Sequence, residues 1–346
     1  MTTELLSKEE FNQRLDALRH TQFDVLSDGH VALVDCMGTD QDIVDAARIS
    51  YGAGTRRTSA DRHLIRYLMR HHHTTPFEMV ELKFRVRVPM DTWRQWIRHR
   101  TASVNEYSTR YSEAIDSKDD TGPEGWRQQS DRNRQGSEVG ELGWPEGWSK
   151  PEYLDPDTFD ATTPGGYLTQ REAAFHRVSR EIYDERLQFG IAREQARKDL
   201  PLSTYTEAYW KCNLHNLLHF LRLRMDSHAQ KEIRDYATII GEEIVSKLVP
   251  VTWEAFQDYR LNAMSLTGPE LAQLNQFIAQ CVQALPLFIS PDTAYSALVP
   301  EWQVRRSRER QEFMLKLVRL GLVDSDFPEE LEKHVQRIHG NRETAV

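Results

Sequence analysis

Residues 98 to 110, RHRTASVNEYSTR, gather Arg98, Arg100 and Arg110 with His99, Asn105, Glu106 and the hydroxyls of Ser103, Ser108 and Thr109. A guanidinium presents forked donors whose spacing matches phosphate oxygens, and a hydroxyl adds a donor beside it. Arg98, Arg110 and Ser108 therefore make a candidate monophosphate grip. Three arginines alone read equally as a solvated basic loop. Glu106 and Asn105 favour the grip: acceptors add nothing to holding phosphate, but they read ribose hydroxyls and ring N–H groups. The combination points to a nucleotide. RNA recognition would call for more interleaved aromatics than Tyr107 and Tyr111 and a wider basic surface. A nucleotide- or RNA-binding module without catalysis is nevertheless the alternative that this stretch leaves open.

Other chemistry-bearing residues are weaker signals. HNLLH (215 to 219) sets His215 and His219 four residues apart on one helical face, a spacing that can share a metal. It lacks the glutamate of HExxH and has no evident third ligand, so no metal is assigned and a cofactor-facing pair is the better reading. In HHH (71 to 73) adjacent side chains diverge, leaving one of them to face a pocket. YGAGTRR (51 to 57) does not complete GxGxxG and follows a helical pattern. RRSRER (305 to 310) reads as a solvated helix face. Cys36, Cys212 and Cys281 are widely spaced and odd in number, which implies neither a disulfide framework nor a CxxC metal pair, and a reducing compartment.

The elements that would carry these residues follow from periodicity. Ser7 and Glu10 form a capping-box pattern before Phe11, Leu15 and Leu18 at helical spacing. HVALVDC (30 to 36) reads as a strand. Residues 40 to 50 read as a helix opened by Asp40, and 59 to 73 as one opened by Ser59. Val80, Leu82, Phe84, Val86 and Val88 alternate with charged residues, the signature of a strand with one buried face. Pro89 and Asp91 begin a helix bearing Trp93, Trp96 and Ile97, so the arginine motif starts near a helix end and runs into a loop. Residues 117 to 166, rich in Gly, Pro, Ser and acids, read as a flexible insertion that Trp126, Trp144 and Trp148 would dock. Helical spacing resumes at Phe175, Val178 and Ile182, and a short helix with Arg197 stops at Pro201. YWKCNLHNLLHFLRLRM then carries the stripe Leu214, Leu217, Leu218 and Leu221. A further helix buries Ile233, Tyr236, Ile240, Ile244 and Leu248. Helices over 270–285, 300–320 and 328–338 form a C-terminal extension.

The chain of 346 residues has 39% hydrophobic and 28% charged residues and a net charge of -9. That acidic balance argues against broad adhesion to nucleic acid or membrane while allowing a local basic site. The start lacks a basic-then-apolar leader pattern and no segment is long enough to cross a bilayer, so a cytoplasmic protein is expected. The fold class is α+β, a mostly antiparallel central sheet packed with long helices. Its domains are 1–266, interrupted by the insertion, and a helical extension over 267–346.

QWIRHRTASVNEYSTRYS (95 to 112) resembles the signature of the flavin-dependent thymidylate synthases, RHRxxSxNExSxR, at every fixed position: Arg98, His99, Arg100, Ser103, Asn105, Glu106, Ser108 and Arg110. ARISYG (47 to 52), HTTPFE (73 to 78), ARKDLP (196 to 201) and NLHNLLHFLRLRMDSHAQKEIR (213 to 234) agree in order. The resemblance spans roughly 30 to 260. It implies a relay in which NADPH reduces FAD, methylenetetrahydrofolate supplies one carbon and dUMP becomes dTMP. It further implies that Thr75, Arg98, His99, Arg100, Glu106, Asn213, Leu214, His215 and His219 contact FAD. The dUMP contacts it implies are Gln95, Trp96, Ile97, Arg98, Glu106, Tyr107, Ser108, Thr109, Arg110, Arg197 and Arg224. Ser50 and His73 would line the folate or flavin side. Arg224 is the activating residue by this reading, a fixed cation that favours the ionised uracil ring. Cys212 is read as packing, since no thiolate nucleophile is needed. The resemblance also implies a homotetramer with sites where subunits meet, which would bury apolar helix stripes between chains. Two departures stand out: Met79 where the family pattern has a histidine after TPFE, and the 117–166 insertion.

Overall fold

The computed structural model describes residues 3–49, 60–130, 136–138, 140–155 and 157–284. Beyond them it describes 294, 298, 303, 308–320 and 322–343. Ser50, Ser59 and the YGAGTRR stretch lie outside the described residues, as does part of RRSRER. Helix α1 (Lys8–Arg19) opens with the expected capping box: Ser7 Oγ accepts from the Glu10 N–H, and the Glu10 carboxylate accepts from the Ser7 N–H at 2.8 Å. Phe11, Leu15 and Leu18 are its buried face. Strands β1 (Gln22–Val25) and β2 (Gly29–Met37) form a hairpin.

Helix α2 (Asp40–Arg48) is capped by Thr39 and not by Asp40: the Thr39 hydroxyl accepts from the Gln41 N–H and Asp42 closes the box. Asp40 is buried and turned to a remote helix. Helix α3 (Asp61–Arg70) starts from Ala60 with no side-chain cap. A 3-10 turn (Thr75–Met79) leads into β3 (Glu81–Pro89), whose even-numbered residues are buried as the alternation requires. Helix α4 (Met90–Trp96) follows directly from Pro89.

The arginine motif does not stay a loop. Ser103–Glu106 forms β4, an edge strand. Within the insertion, β5 (Gln128–Gln129) and β6 (Ser137–Glu138) make a small ribbon. Then come α5 (Pro164–Gln188), α6 (Arg193–Ala196) and a 3-10 turn, Arg197–Asp199. Residues Tyr205–Asn213 form β7, followed at once by α7 (Leu214–Arg224). The strand over YWKCN has no counterpart among the elements read from the sequence. Thr206, Ala208, Trp210 and Cys212 are buried on alternate positions, a period-2 pattern masked by the strong leucine stripe that follows. Helix α8 (Lys231–Ile239) runs on through a π turn (Ile240–Val245) and α9 (Ser246–Leu248). Helix α10 (Pro250–Phe256) ends in a second π turn, Gln257–Leu261.

The sheet order is β1-β2-β3-β7-β4, antiparallel throughout. Trp96 is fully buried at the junction of sheet and helices, with ring centroids 5.2 Å from Trp210, 4.9 Å from Phe220 and 5.7 Å from Tyr236. This aromatic cluster joins α4, β7, α7 and α8, and so fixes the end of α4 beside α7.

The insertion lies along α5. Trp144 and Trp148 stack at 4.4 Å, Trp148 meets Tyr167 edge-on at 5.0 Å, and Trp126 Nε1 donates to Thr169 Oγ1 at 3.0 Å. His176 on α5 bridges Asp120 of the insertion and Ser203 of the loop before β7, at 2.8 Å each. The stripe Phe175, Val178 and Ile182 is exposed, whereas Tyr167, His176 and Tyr183 are buried.

The chain divides into two compact units, 1–263 and 264–346. The second contains α11 (Gly268–Ala284), α12 (Arg308–Arg319) and α13 (Phe327–Glu343). Met314, Phe327, Leu331 and Val335 make its small core, and buried Arg310 pairs with half-buried Glu332 at 2.6 Å. No described helix is long and apolar enough to cross a membrane.

Candidate functional site

Two elements distant in sequence converge at the Trp96–Phe220 contact. Helix α7 turns Leu214, Leu217, Leu218, Phe220 and Leu221 inward and leaves His215, His219 and Arg222 on the other side, while Arg224 follows Phe220 one turn on. In its last turn, Arg224 Nε donates to His99 Nε2 at 3.0 Å and Nη2 reaches the Gln95 carbonyl at 3.4 Å. The His99 ring lies 5.9 Å from that of His219. Burial, then the charge of Arg224, pull the His99 pKa down to about 4, so the imidazole is neutral and its Nε2 is an acceptor. Arg224 is itself lowered by burial and by the charge of Arg98. Arg98 and Arg224 therefore direct positive charge at one place, and Arg98 has no ion pair among the described residues. Gln95 is held by Gln230, which in turn donates to Asp91 at 3.3 Å.

A second cluster surrounds the end of β4. Glu106 Oε1 accepts from Thr206 Oγ1 at 2.9 Å, and the Tyr107 N–H bonds the Glu207 carbonyl at 2.7 Å, so the edge pairing aims this stretch. Arg197 donates to Thr109 Oγ1, and Arg110 is ion-paired with Glu194 at 2.9 Å. The phosphate candidate Arg110 thus has a protein carboxylate as its partner here. Arg98, Arg100 and Asn105 are exposed and Ser108 half-buried.

The sequence reading included Trp96 and Leu214 as contacts. Both side chains are fully buried, so only their main chains can face a ligand. Asn213 ends β7 and caps α7, its Oδ1 accepting from the Asn216 N–H at 3.0 Å, which leaves its amide nitrogen for a ligand. Ile97 and Tyr107 are partly exposed. Cys212 is buried, and burial raises its thiol far above the ordinary range; Cys36 is pushed up to about 12 for the same reason. Neither supplies a thiolate.

His73, His215 and His219 share a cleft of about 180 Å³ whose floor is Leu68, Met69, Phe77, Leu218 and Phe256. Thr75 is exposed on the adjoining 3-10 turn, as is Met79. The expectation that a single residue of HHH faces a pocket is corrected. His72 has φ of 60°, which turns the chain so that both His72 and His73 line the cleft, while His71 packs on Tyr67 at 4.4 Å. Arg222 and Arg260 are not among the site residues read from the sequence; Arg260 reaches the cleft from a helix end that carries no motif. An apolar floor rimmed by imidazoles and cations suits a ring system bearing phosphates, as FAD does. Among the described residues, no third His, Cys, Asp or Glu joins the His215–His219 pair in a metal-holding group.

The family model described as thymidylate synthase complementing protein matches residues 32–251. A flavin-dependent thymidylate synthase of Wolbachia pipientis is 45% identical over 267 residues, covering 77% of this chain and 87% of that protein. One from Dictyostelium discoideum is 48% identical over 251 residues, covering 70% and 76%. Among solved structures, the UMP/dUMP methylase PolB of Streptomyces cacaoi bound with 5-Br dUMP is similar with a TM-score of 0.56. Its sequence is 34% identical, with 69% of this chain and 99% of that one covered.

Proposed function

The chain belongs to the thymidylate synthase complementing protein family and is a flavin-dependent thymidylate synthase, and from that premise we propose how its own residues divide the work of methylating dUMP to dTMP. The family places it among enzymes and sets aside the binding-only alternative. When bound, FAD supplies the redox step that draws on NADPH, with methylenetetrahydrofolate as one-carbon donor.

In this reading His215, His219, Thr75, the Asn213 amide and the Leu214 main chain hold FAD from the α7 side, and Arg98, His99, Arg100 and Glu106 hold it from the motif. His73 faces the folate or flavin, and Ser50 is assigned to the same side. Gln95, the main chains of Trp96 and Ile97, Arg98 and residues 106–110 receive dUMP, with Arg197 steadying Thr109. Arg110 exchanges Glu194 for the substrate phosphate, a swap of one charge-assisted partner for another. Arg224 is the activating group. Its guanidinium is oriented by the neutral His99 ring and the Gln95 carbonyl, and a fixed cation beside the uracil stabilises the anionic ring. The Arg224–His99 contact is the observation that carries this assignment, because it joins the motif to α7.

We assign the reaction to residues 1–266 and treat 117–166 and 267–346 as additions to it. The exposed stripe Phe175, Val178 and Ile182 supports a homotetramer in which α5 packs on another copy. The free, buried Cys36 and Cys212 support a cytoplasmic setting. Purified protein should be yellow with bound FAD. It should release tritium from dUMP labelled at the methyl-accepting carbon only when NADPH and methylenetetrahydrofolate are present. Colourless protein without turnover would remove the reading.

A further inference from the structure

Two guanidiniums of the histidine cleft have no part in the assignment above. Arg222 comes from α7 and Arg260 from the π turn Gln257–Leu261, and both line the cleft. Arg260 is fixed in place: Nη1 donates to His72 Nε2 at 2.8 Å and Nη2 donates to the Met69 carbonyl at 2.7 Å. His72 reaches it from a left-handed backbone conformation that a histidine adopts only against a steric cost. Arg222 is exposed and has no hydrogen bond or ion pair among the described residues.

No carboxylate is among the described residues that line this cleft, although the chain as a whole has a net charge of -9. Burial and the charge of Arg222 lower the basicity of Arg260, and burial, then the charges of Arg260 and Arg222, lower that of His72. The lining therefore sets two guanidiniums over an apolar floor, with Glu78, outside the lining, the carboxylate that acts on His215. Such an arrangement is balanced when an anion enters. The floor accepts a flat ring, and the arginines, with forked donors, accept the oxyanions attached to it.

We propose that Arg222 and Arg260 form an oxyanion clamp that holds the anionic arm of the planar ligand seated in the histidine cleft. The proposal rests on the assignment of the chain as an FAD- and folate-using enzyme. Carboxylates of the folate glutamate tail and phosphates of FAD or NADPH share the required chemistry.

The test uses the full chain as wild type, Arg222→Gln, Arg260→Gln, the double variant and Arg260→Lys. Calorimetry with inorganic pyrophosphate reads the clamp directly, without turnover. Affinity for FAD, and KM for NADPH and for methylenetetrahydrofolate with one or several glutamates, then identify the anion. Pyrophosphate and one of these ligands should weaken about tenfold or more in each glutamine variant, with Arg260→Lys recovering part of the loss and kcat changing far less. A selective rise in folate KM, larger for the polyglutamate, assigns the carboxylates; a selective effect on FAD or NADPH assigns a phosphate. Unchanged constants in all variants would overturn the clamp. So would a lowered Tm with unchanged constants below it, since Arg260 would then only hold the end of α3. Wild-type protein that makes no thymidylate would instead count against the function, and the pyrophosphate measurement would still decide the clamp.

Discussion

Arg224 and His99 lie 125 residues apart in the chain and meet through an Nε–H to Nε2 hydrogen bond of 3.0 Å. The bond requires a neutral imidazole, which burial and the facing guanidinium themselves enforce. The cation that would activate the substrate ring is thus oriented by the signature motif.

Arg224→Ala should retain the yellow colour of bound FAD, since His215 and His219 stay in place, and should lower thymidylate formation about a hundredfold or more. Arg224→Lys should recover little, because an ammonium cannot reproduce the fork that reaches both His99 and Gln95. Visible absorbance and tritium release measure the two effects. Normal turnover in the alanine variant would refute the activating role.

Acid should weaken the fold partly through His99. Its folded pKa is about 4 against an ordinary 6.5, so between those values the unfolded chain binds more protons and stability falls as pH drops. Below about 4 the imidazole is protonated and can no longer accept from Arg224. His99→Asn should reduce the slope of unfolding free energy between pH 6.5 and 4, measured by urea titration at each pH. Identical slopes in variant and parent would exclude this contribution.

Asp40 acts with the opposite sign. Burial raises its carboxyl to about 6, so across roughly pH 4 to 6 the folded chain binds the extra proton, and this contribution to stability is lost as pH rises. Its oxygens nevertheless satisfy the Val251 and Thr252 N–H groups and the Thr252 hydroxyl at 3.0, 3.1 and 2.6 Å, supplying the cap that Val249 cannot give to α10. Asp40→Ala leaves those buried donors unpaired and should cost about 2–3 kcal/mol in denaturant unfolding. A change within 0.5 kcal/mol, the usual range for a neutral surface substitution, would show that the cap is dispensable.

The α5 stripe gives a test of assembly. Phe175→Glu with Val178→Glu should lower the mass seen by light scattering from a tetramer to a smaller species, because charge placed in an apolar contact is costly to bury. Circular dichroism should stay the same, since both side chains are exposed within the chain. An unchanged mass would remove α5 from the interface.

Much of the frame was legible because it is local. The capping box of α1, the alternation of β3 and the leucine stripe of α7 are each written within about a dozen residues, and each formed as read. β7 was missed because its alternation is followed without a break by that stripe. The cap of α2 was misassigned because two adjacent polar residues compete for one role, and only packing shows that Asp40 is needed elsewhere. Trp96 illustrates the same limit within the motif: its position in the signature is clear, but its burial among Trp210, Phe220 and Tyr236 depends on three elements it cannot signal.

The sequence by itself determined the identities and spacing of the motif, the periodicities of the major elements and, through eight matched positions, the family. Tertiary structure alone decided that His99 meets Arg224, that Arg110 is paired with Glu194, and that Arg222 and Arg260 share a cleft with four histidines. The reason is physical. Side-chain period records which face of an element is buried, whereas a meeting between distant elements is set by strand order and by the packing of a common core.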